Sequence, residues 1–285
     1  MTDPMSPSAT PWGHRLSFSI LKAIATSPAH FLAACSAERE PTPAPPPPPA
    51  MRRGTLVHWF LLGGPESRRP LICPVDGTRA TKAFKEWRDT VQLYDNPGDP
   101  DRETYTKAEA DEARTIAHAA QHAPHNRDLF QEWIAGASDT ELPLAWTMGG
   151  IPFRTRGVDV LHRARGLLVD VKTCASAEPD AFAWEVRKRK YGAQLATYAL
   201  GCEANGIPIR ERALFAIETS APYVVTVLRH PDAAFEQDKR TLALWIERVR
   251  GCQLAGHWPG YVSTAVDLET GPIELQGLDD LEDAS

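Results

Sequence analysis

The chain lacks the features that would tie it to a membrane, a disulfide scaffold or a nucleotide-driven motor. No apolar run approaches the roughly 20 residues that a spanning helix needs, and the N-terminus lacks the basic, apolar, small-residue order of a secretion signal, so a cytoplasmic protein with no membrane partner is expected. The 5 cysteines, Cys35, Cys73, Cys174, Cys202 and Cys252, are odd in number and scattered, without a Cys-x-x-Cys pair. That spacing argues against a disulfide framework, a zinc site and an iron–sulfur cluster, and leaves oxygen atoms as the ligands of any bound metal. There is no Gly-x-x-x-x-Gly-Lys loop, so no use of ATP is expected, and no repeat of about 20 to 50 residues recurs.

Positive charge is scarce too. With 31 Lys and Arg against 37 Asp and Glu the net charge is −6, which is unfavourable for a ligand held by counterion release. The distribution removes the objection. Residues 261–285 hold seven carboxylates (Asp267, Glu269, Glu274, Asp279, Asp280, Glu282, Asp283) and no Lys or Arg, so the remainder carries −6 − (−7) = +1, with local basic clusters.

With 285 residues and 42% hydrophobic content, the chain can bury one substantial core. The expected organisation is a flexible stretch over 1–14, a single domain over 15–258 with a proline-rich loop at 41–50, and an acidic tail over 259–285. A helical pair is read over 17–35, and helices over 53–62, 78–93, 107–121 and 126–135, with loop over 94–104. Alternating and buried-type apolar patterns then give strands over 140–148, 153–161 and 166–172, the first two joined at Gly149-Gly150. One long helix over 184–202, strands over 212–218 and 223–228, and a helix over 233–254 complete an α/β order: a mixed central sheet flanked by helices on both faces.

Chemistry concentrates in the meander. Along a strand Asp170 and Lys172 point to one face and Val171 to the other. Their neighbours Leu167, Leu168 and Val169 suit a strand buried on both sides, where an unpaired charge costs several kcal/mol. Asp159 lies eleven residues earlier, the separation of a tight hairpin that sets two carboxylates opposite each other. Like charges so close repel unless a cation lies between them. Mg²⁺, with Mn²⁺ as a substitute, is therefore expected there, with Asp159, Asp170 and the Val171 carbonyl as ligands; a plain Asp–Lys ion pair is the alternative. Carboxylates, lysine and metal together can hydrolyse a phosphodiester.

Other residues can join them. His58, on the helix that follows Arg53, is read as a further metal ligand or a phosphate contact, or as a packing residue. Glu141, at the start of the first meander strand, supplies another carboxylate or a solvated side chain. Gln194 and Tyr198 share one helix face at i, i+4, as site residues or as polar core filling. The run Arg187, Lys188, Arg189 and Lys190 is placed on the same helix as Gln194, as phosphate contacts or as a solvated face. Arg52 and Arg53, before a helix N-terminus, are assigned to a terminal 5′ phosphate.

Taken in order, Gly54 and His58, Glu141, Asp159, Asp170-Val171-Lys172, and Gln194 with Tyr198 resemble the RecB-type branch of the PD-(D/E)xK nuclease superfamily. Ser17-Phe18-Ser19, Ser27-Pro28-Ala29-His30-Phe31 and Tyr191-Gly192-Ala193-Gln194 are similar to the exonuclease VIII family within it, over about residues 15–255. That resemblance implies a restriction-endonuclease-like core and a metal-dependent exonuclease acting on ends of linear double-stranded DNA, 5′ to 3′. It also implies 3′ overhangs handed to a single-strand annealing protein, and a homo-oligomeric ring, trimer or tetramer. An endonuclease or flap nuclease of the same fold, and a non-catalytic DNA-end binding protein, are the rival readings.

Overall fold

The computed structural model describes residues 13–39, 47–94 and 103–261. The expected N-terminal stretch up to residue 12, most of the proline-rich loop, most of the 94–104 loop and the acidic tail from residue 262 onward lie outside the described residues.

The helical pair expected near the start is present. Helix α1 (Phe18–Lys22) runs into a 3₁₀ turn, and α2 (Pro28–Arg39) follows. Ser27 opens α2, its Oγ accepting from His30 N–H at 3.3 Å and lying 2.7 Å from His30 Nδ1, while Pro28 fills the first helical position, where no N–H is missed. Helix α3 (Pro49–Leu62) starts earlier than the expected residue 53. Here proline serves as a helix start: the fixed φ of Pro49 suits the first turn, and Pro48 before it is the N-cap.

Strand β1 (Leu71–Ile72) and strand β2 (Thr104–Tyr105) pair in parallel as a two-stranded sheet that no local pattern announced, and between them lies α4 (Lys82–Tyr94). Helix α5 (Lys107–His122) opens on a capping box: Thr106 Oγ1 accepts from Glu109 N–H, and the Glu109 carboxylate accepts from Thr106 N–H at 2.8 Å. Helix α6 (Arg127–Trp133) precedes the meander β3 (Asp139–Met148), β4 (Ile151–His162) and β5 (Leu167–Cys174).

The single long helix expected over 184–202 is two helices, α7 (Pro179–Arg189) and α8 (Tyr191–Ala204). Lys190 separates them in a left-handed conformation, φ 61°, and its N–H closes α7 on the carbonyls of Val186 and Arg187. Such a conformation costs a non-glycine residue about 1–2 kcal/mol, offset here by the packing of α8 along the sheet. The basic run and Gln194 are thus not on one helix. Strands β6 (Glu211–Glu218) and β7 (Val225–Arg229) and helix α9 (Asp232–Ala255) complete the order.

The five-stranded sheet runs β3-β4-β5-β6-β7, with β5 and β6 parallel and the other neighbours antiparallel. Strand β5 is buried on both faces, as its sequence required. Leu167, Val169 and Val171 join Leu56, Val57, Ile116 and Trp133 of α3, α5 and α6 on one side. Leu168 joins Phe18, Phe31, Leu195 and Phe235 of α1, α2, α8 and α9 on the other. The fold is therefore the mixed α/β arrangement expected, a central sheet covered on both faces. Among the described residues no helix is long and apolar enough to cross a membrane.

Candidate active site

Register brings the acids together. In the β3/β4 ladder Thr140 pairs with Val160 and Leu142 with Val158, so Glu141 faces Asp159. In the β4/β5 ladder Val160 pairs with Val169, and one further step puts Asp159 beside Asp170. Glu141, Asp159 and Asp170 thus cross three adjacent strands in a row. Glu141 sits at φ 50°, next to a register shift between Leu142 and Leu144, a bulge that re-aims its side chain. Gly157 makes room: a Cβ there would overlap Glu141 Oε2 and lie 3.1 Å from the Glu141 Cα.

Asp159, 8% exposed, accepts the Val171 N–H on Oδ2 at 2.7 Å. Asp170 is 1% exposed, and its Oδ2 has no hydrogen-bond partner of good geometry although Lys172 Nζ lies 2.6 Å away; the pair is made by proximity and charge. A buried carboxylate oxygen so placed depends on that one ammonium to stabilise its charge. Burial, with the charge of Asp159 adding to it, pushes the Asp170 carboxyl up to about 6 against the pull of Lys172. For Lys172 burial acts downward, but Asp170 and Asp159 outweigh it and hold the ammonium above its ordinary value.

His58 enters from the other face of the sheet. Its Nε2 lies 3.0 Å from the Val171 carbonyl oxygen, so that nitrogen carries the proton and donates. Nδ1 then faces Glu141 Oε1 and Asp159 Oδ2, each 3.7 Å away. Burial disfavours a charged imidazole, yet the Asp159 and Glu141 carboxylates outweigh it and raise His58 above its usual value. Helix α3 can come this close because Gly54, one turn before His58, has no side chain: a Cβ there would sit 3.2 Å from Thr173 Oγ1. One ligand atom each from His58, Glu141 and Asp159 lies within 4.8 Å of the others.

Helix α8 lays Tyr191, Gln194 and Tyr198 along the opposite wall at i, i+3 and i+7. Gln194 Nε2 donates to the Tyr198 hydroxyl at 2.9 Å, and Lys172 Nζ stands 4.9 Å from the Tyr191 ring centre. Burial, reinforced by the charge of Asp170, raises the Tyr198 hydroxyl above its ordinary value. All these groups except the buried Asp170 line one cleft of about 1380 Å³, bordered also by Lys22, Arg68, Arg154, Trp184 and Arg189.

The family that describes this arrangement is the PDDEXK-like domain of unknown function (DUF3799), which matches residues 17–269. The chain belongs to that family. The match places it in the PD-(D/E)xK superfamily, and the fold agrees. A crystal structure from Eubacterium rectale of a protein named as a candidate exonuclease superposes with TM-score 0.58 at 14% identity, covering 95% of this chain and 94% of that one. A phage-related exonuclease from Haemophilus somnus 129PT gives TM-score 0.31 at 11% identity over 71% of this chain and 94% of its own. No curated protein matches the chain.

Within this PDDEXK-like domain the remaining sequence-predicted residues are placed differently. Arg52 is 12% exposed and gives Nε and Nη2 to Glu109 Oε1 at 3.0 and 2.7 Å, and Arg53 Nε lies 2.9 Å from Glu112 Oε1. Any phosphate taken by Arg52 would have to displace Glu109. Arg187, Lys188, Arg189 and Lys190 are all exposed; Arg189 pairs with Glu185 and borders the cleft. The Val171 carbonyl, expected at the metal, receives the His58 proton. Lys22, Arg68 and Trp184 were not assigned to the site from the sequence, and Tyr191 stood there only within the segment similar to the exonuclease VIII family; each lies apart in the chain from the meander whose cleft it borders. Arg68 Nη1 is 4.0 Å from Glu141 Oε2.

Proposed function

We propose that the protein is a divalent-metal-dependent exodeoxyribonuclease that degrades linear double-stranded DNA from its ends. The observation that carries this reading is His58, Glu141 and Asp159 gathered with Lys172 in a cleft large enough for a nucleic-acid strand, with Asp170 buried next in the row and 2.6 Å from Lys172 Nζ. A hard cation fits the donors: three carboxylates set in a row, Glu141, Asp159 and the buried Asp170, and His58 Nδ1, which gives up its proton to become a ligand. Mg²⁺ suits the oxygens, and Mn²⁺ accepts the imidazole more readily.

Glu141, Asp159, Asp170 and His58 Nδ1 would hold the ion, which when bound neutralises charge on the scissile phosphate and acidifies the attacking water. The Val171 N–H fixes the Asp159 carboxylate, and the Val171 carbonyl holds the His58 ring, so the backbone of one residue sets two ligands. Lys172, steadied by Asp170 and by the Tyr191 ring, presents N–H donors to the charge that develops on the phosphate. Tyr198 orients Gln194, whose amide oxygen is left to align the water or the sugar–phosphate backbone.

Cleavage from 5′ to 3′, the 3′ overhang for an annealing partner, and assembly as a ring of three or four copies rest on the resemblance to the exonuclease VIII family. The test is digestion of end-labelled linear duplex. Release of nucleotides from linear ends is expected with Mg²⁺ or Mn²⁺ and none with chelator, with labels at the two ends reporting polarity. Asp170→Asn and Lys172→Ala should each abolish cleavage while circular dichroism is unchanged. Cutting of closed circles would replace the exonuclease by an endonuclease, and undiminished cleavage in both variants would end the assignment.

A further inference from the structure

Away from the acids, one wall of the cleft has a different composition. Trp184, on α7, leaves 52% of its surface exposed, although tryptophan is among the side chains that gain most from burial. Its indole borders the cleft, and Lys188 Nζ stands 4.4 Å from the ring centre. Lys22 of α1 and Arg189 of α7 border the same cleft. Lys22 is half-buried, and after burial itself the charges of Arg189 and Lys172 are what lower its affinity for a proton. Cations from two separate elements thus border this wall, Arg189 sharing its charge with Glu185 and Lys22 repelled by both Arg189 and Lys172, so an anion beside Lys22 would relieve it, next to an aromatic face that no core residue covers.

We propose that Trp184, Lys22 and Arg189 form a nucleotide subsite next to the scissile phosphate, with the cations on the neighbouring phosphate and the indole stacked on an unpaired base. A phosphate there offsets the repulsion that Arg189 and Lys172 exert on Lys22 and shares Arg189 with Glu185, and a base covers the ring. Aromatic stacking of this type tolerates any base, because every base has a π-face, and a nearby cation adds to it. An unpaired nucleotide fits the subsite best: an internal base of a duplex has both faces stacked on neighbours, and a terminal pair offers its free face only together with the partner base, which would have to enter the cleft with it. The subsite thus commits the enzyme to a frayed or splayed end, with the cut strand leaving its partner before the metal ligands. This assignment rests on the nuclease reading, which it deepens by naming the form of DNA that enters.

The test is binding of the full-length chain in chelator, where nothing is cut, to two fluorescein-labelled duplexes, one blunt and one with three unpaired nucleotides at an end. Wild type should prefer the splayed end. Trp184→Ala should weaken binding to it by roughly 5- to 100-fold, with little change on the blunt duplex, and Trp184→Phe should restore most of the difference. Lys22→Ala should weaken binding to both and lower the slope of log affinity against log salt by about 1. Because Trp184 is half exposed, its replacement leaves the core untouched, and a thermal melt checks this. Equal affinity of wild type and Trp184→Ala for the splayed end, or equal losses on both duplexes, would overturn the subsite while leaving the nuclease assignment intact. Discrimination that depends on Trp184, in a chain that cuts nothing with Mg²⁺ or Mn²⁺, would uphold the subsite and sink the nuclease reading.

Discussion

Gly157 and Glu141 show how closely a single missing side chain controls this cleft. Glu141 folds over Gly157, and a methyl group there would overlap the carboxylate and press on the Glu141 backbone at 3.1 Å. The carboxylate end can swing away but the Cα cannot, so Gly157→Ala should lower stability by about 1–3 kcal/mol, the usual cost of overpacking. It should also weaken Mn²⁺ binding, because Glu141 is pushed from the other ligands. A melt and a Mn²⁺ titration of the variant check both, and a variant with unchanged affinity would remove Glu141 from the ligand set. Lys172→Arg probes the neighbouring role: the charge is kept, but a planar fork cannot occupy the place of a compact ammonium between Asp170 and Tyr191. DNA binding should survive while the cleavage rate falls by roughly 100-fold or more, on the scale of losing one oriented donor; a rate within a few-fold of wild type would mean that only charge matters. At this scale Asp159, Asp170 and Lys172 were legible because strand alternation and hairpin length are local rules. The Val171 N–H on Asp159 and the Lys172–Tyr191 contact were not, since they depend on how three strands and a helix meet.

Helix α3 carries His58 to the acids, and α5 anchors α3. The link is Glu109, which caps α5 through Thr106, receives Arg52, and lies 3.2 Å from Arg79 Nε. Burial acts to raise the Glu109 carboxyl, but the Thr106 N–H and the two guanidiniums outweigh it and hold it below its ordinary value. A carboxylate depressed in the folded state contributes its full stabilisation above the ordinary range near ~4.3, and loses it as pH falls through the lower folded value. Glu109→Gln should therefore cost about 1.5–3 kcal/mol at pH 7, as for a hydrogen bond to a charged group. The gap between variant and wild type should narrow below about pH 4.3, where Glu109 of the unfolded chain takes up its proton while the folded carboxylate still holds its charge, and close as pH falls through the folded value. Urea midpoints of both chains across pH check this, and a gap that widens on acidification would contradict it. Elements with local signatures were readable in this way: the Thr106/Glu109 cap, the β3–β5 meander and the long α9. The break at Lys190 was hidden because residues 184–202 suit a helix throughout and the left-handed turn is imposed by packing. The pairing of β1 with β2 joins residues about 30 positions apart and two residues long, too short to leave a pattern.

Over the whole molecule, the row of acids puts like charges side by side in a buried place, so the fold and the metal must be linked. Whatever ion binds the folded chain and not the unfolded one stabilises it by mass action, about 2.7 kcal/mol at a concentration 100 times the dissociation constant. For a protein of this size that gain corresponds to a rise in Tm of roughly 5–10 °C. Mn²⁺ should produce such a rise, Mg²⁺ the same or a smaller one because one donor is an imidazole nitrogen, and chelator should reverse both. Asp159→Asn isolates the cause. Its amide oxygen can still accept the Val171 N–H that Asp159 now receives at 2.7 Å, so the β4/β5 junction is kept while one negative charge leaves the cluster. Two effects should then separate in differential scanning calorimetry: the metal-free variant melts no lower than wild type, since repulsion with Glu141 and Asp170 is relieved, and added Mn²⁺ no longer raises its Tm. A Mn²⁺-dependent rise of equal size in Asp159→Asn and wild type would place the ion elsewhere on the protein and detach the stability of the fold from the chemistry of the cleft.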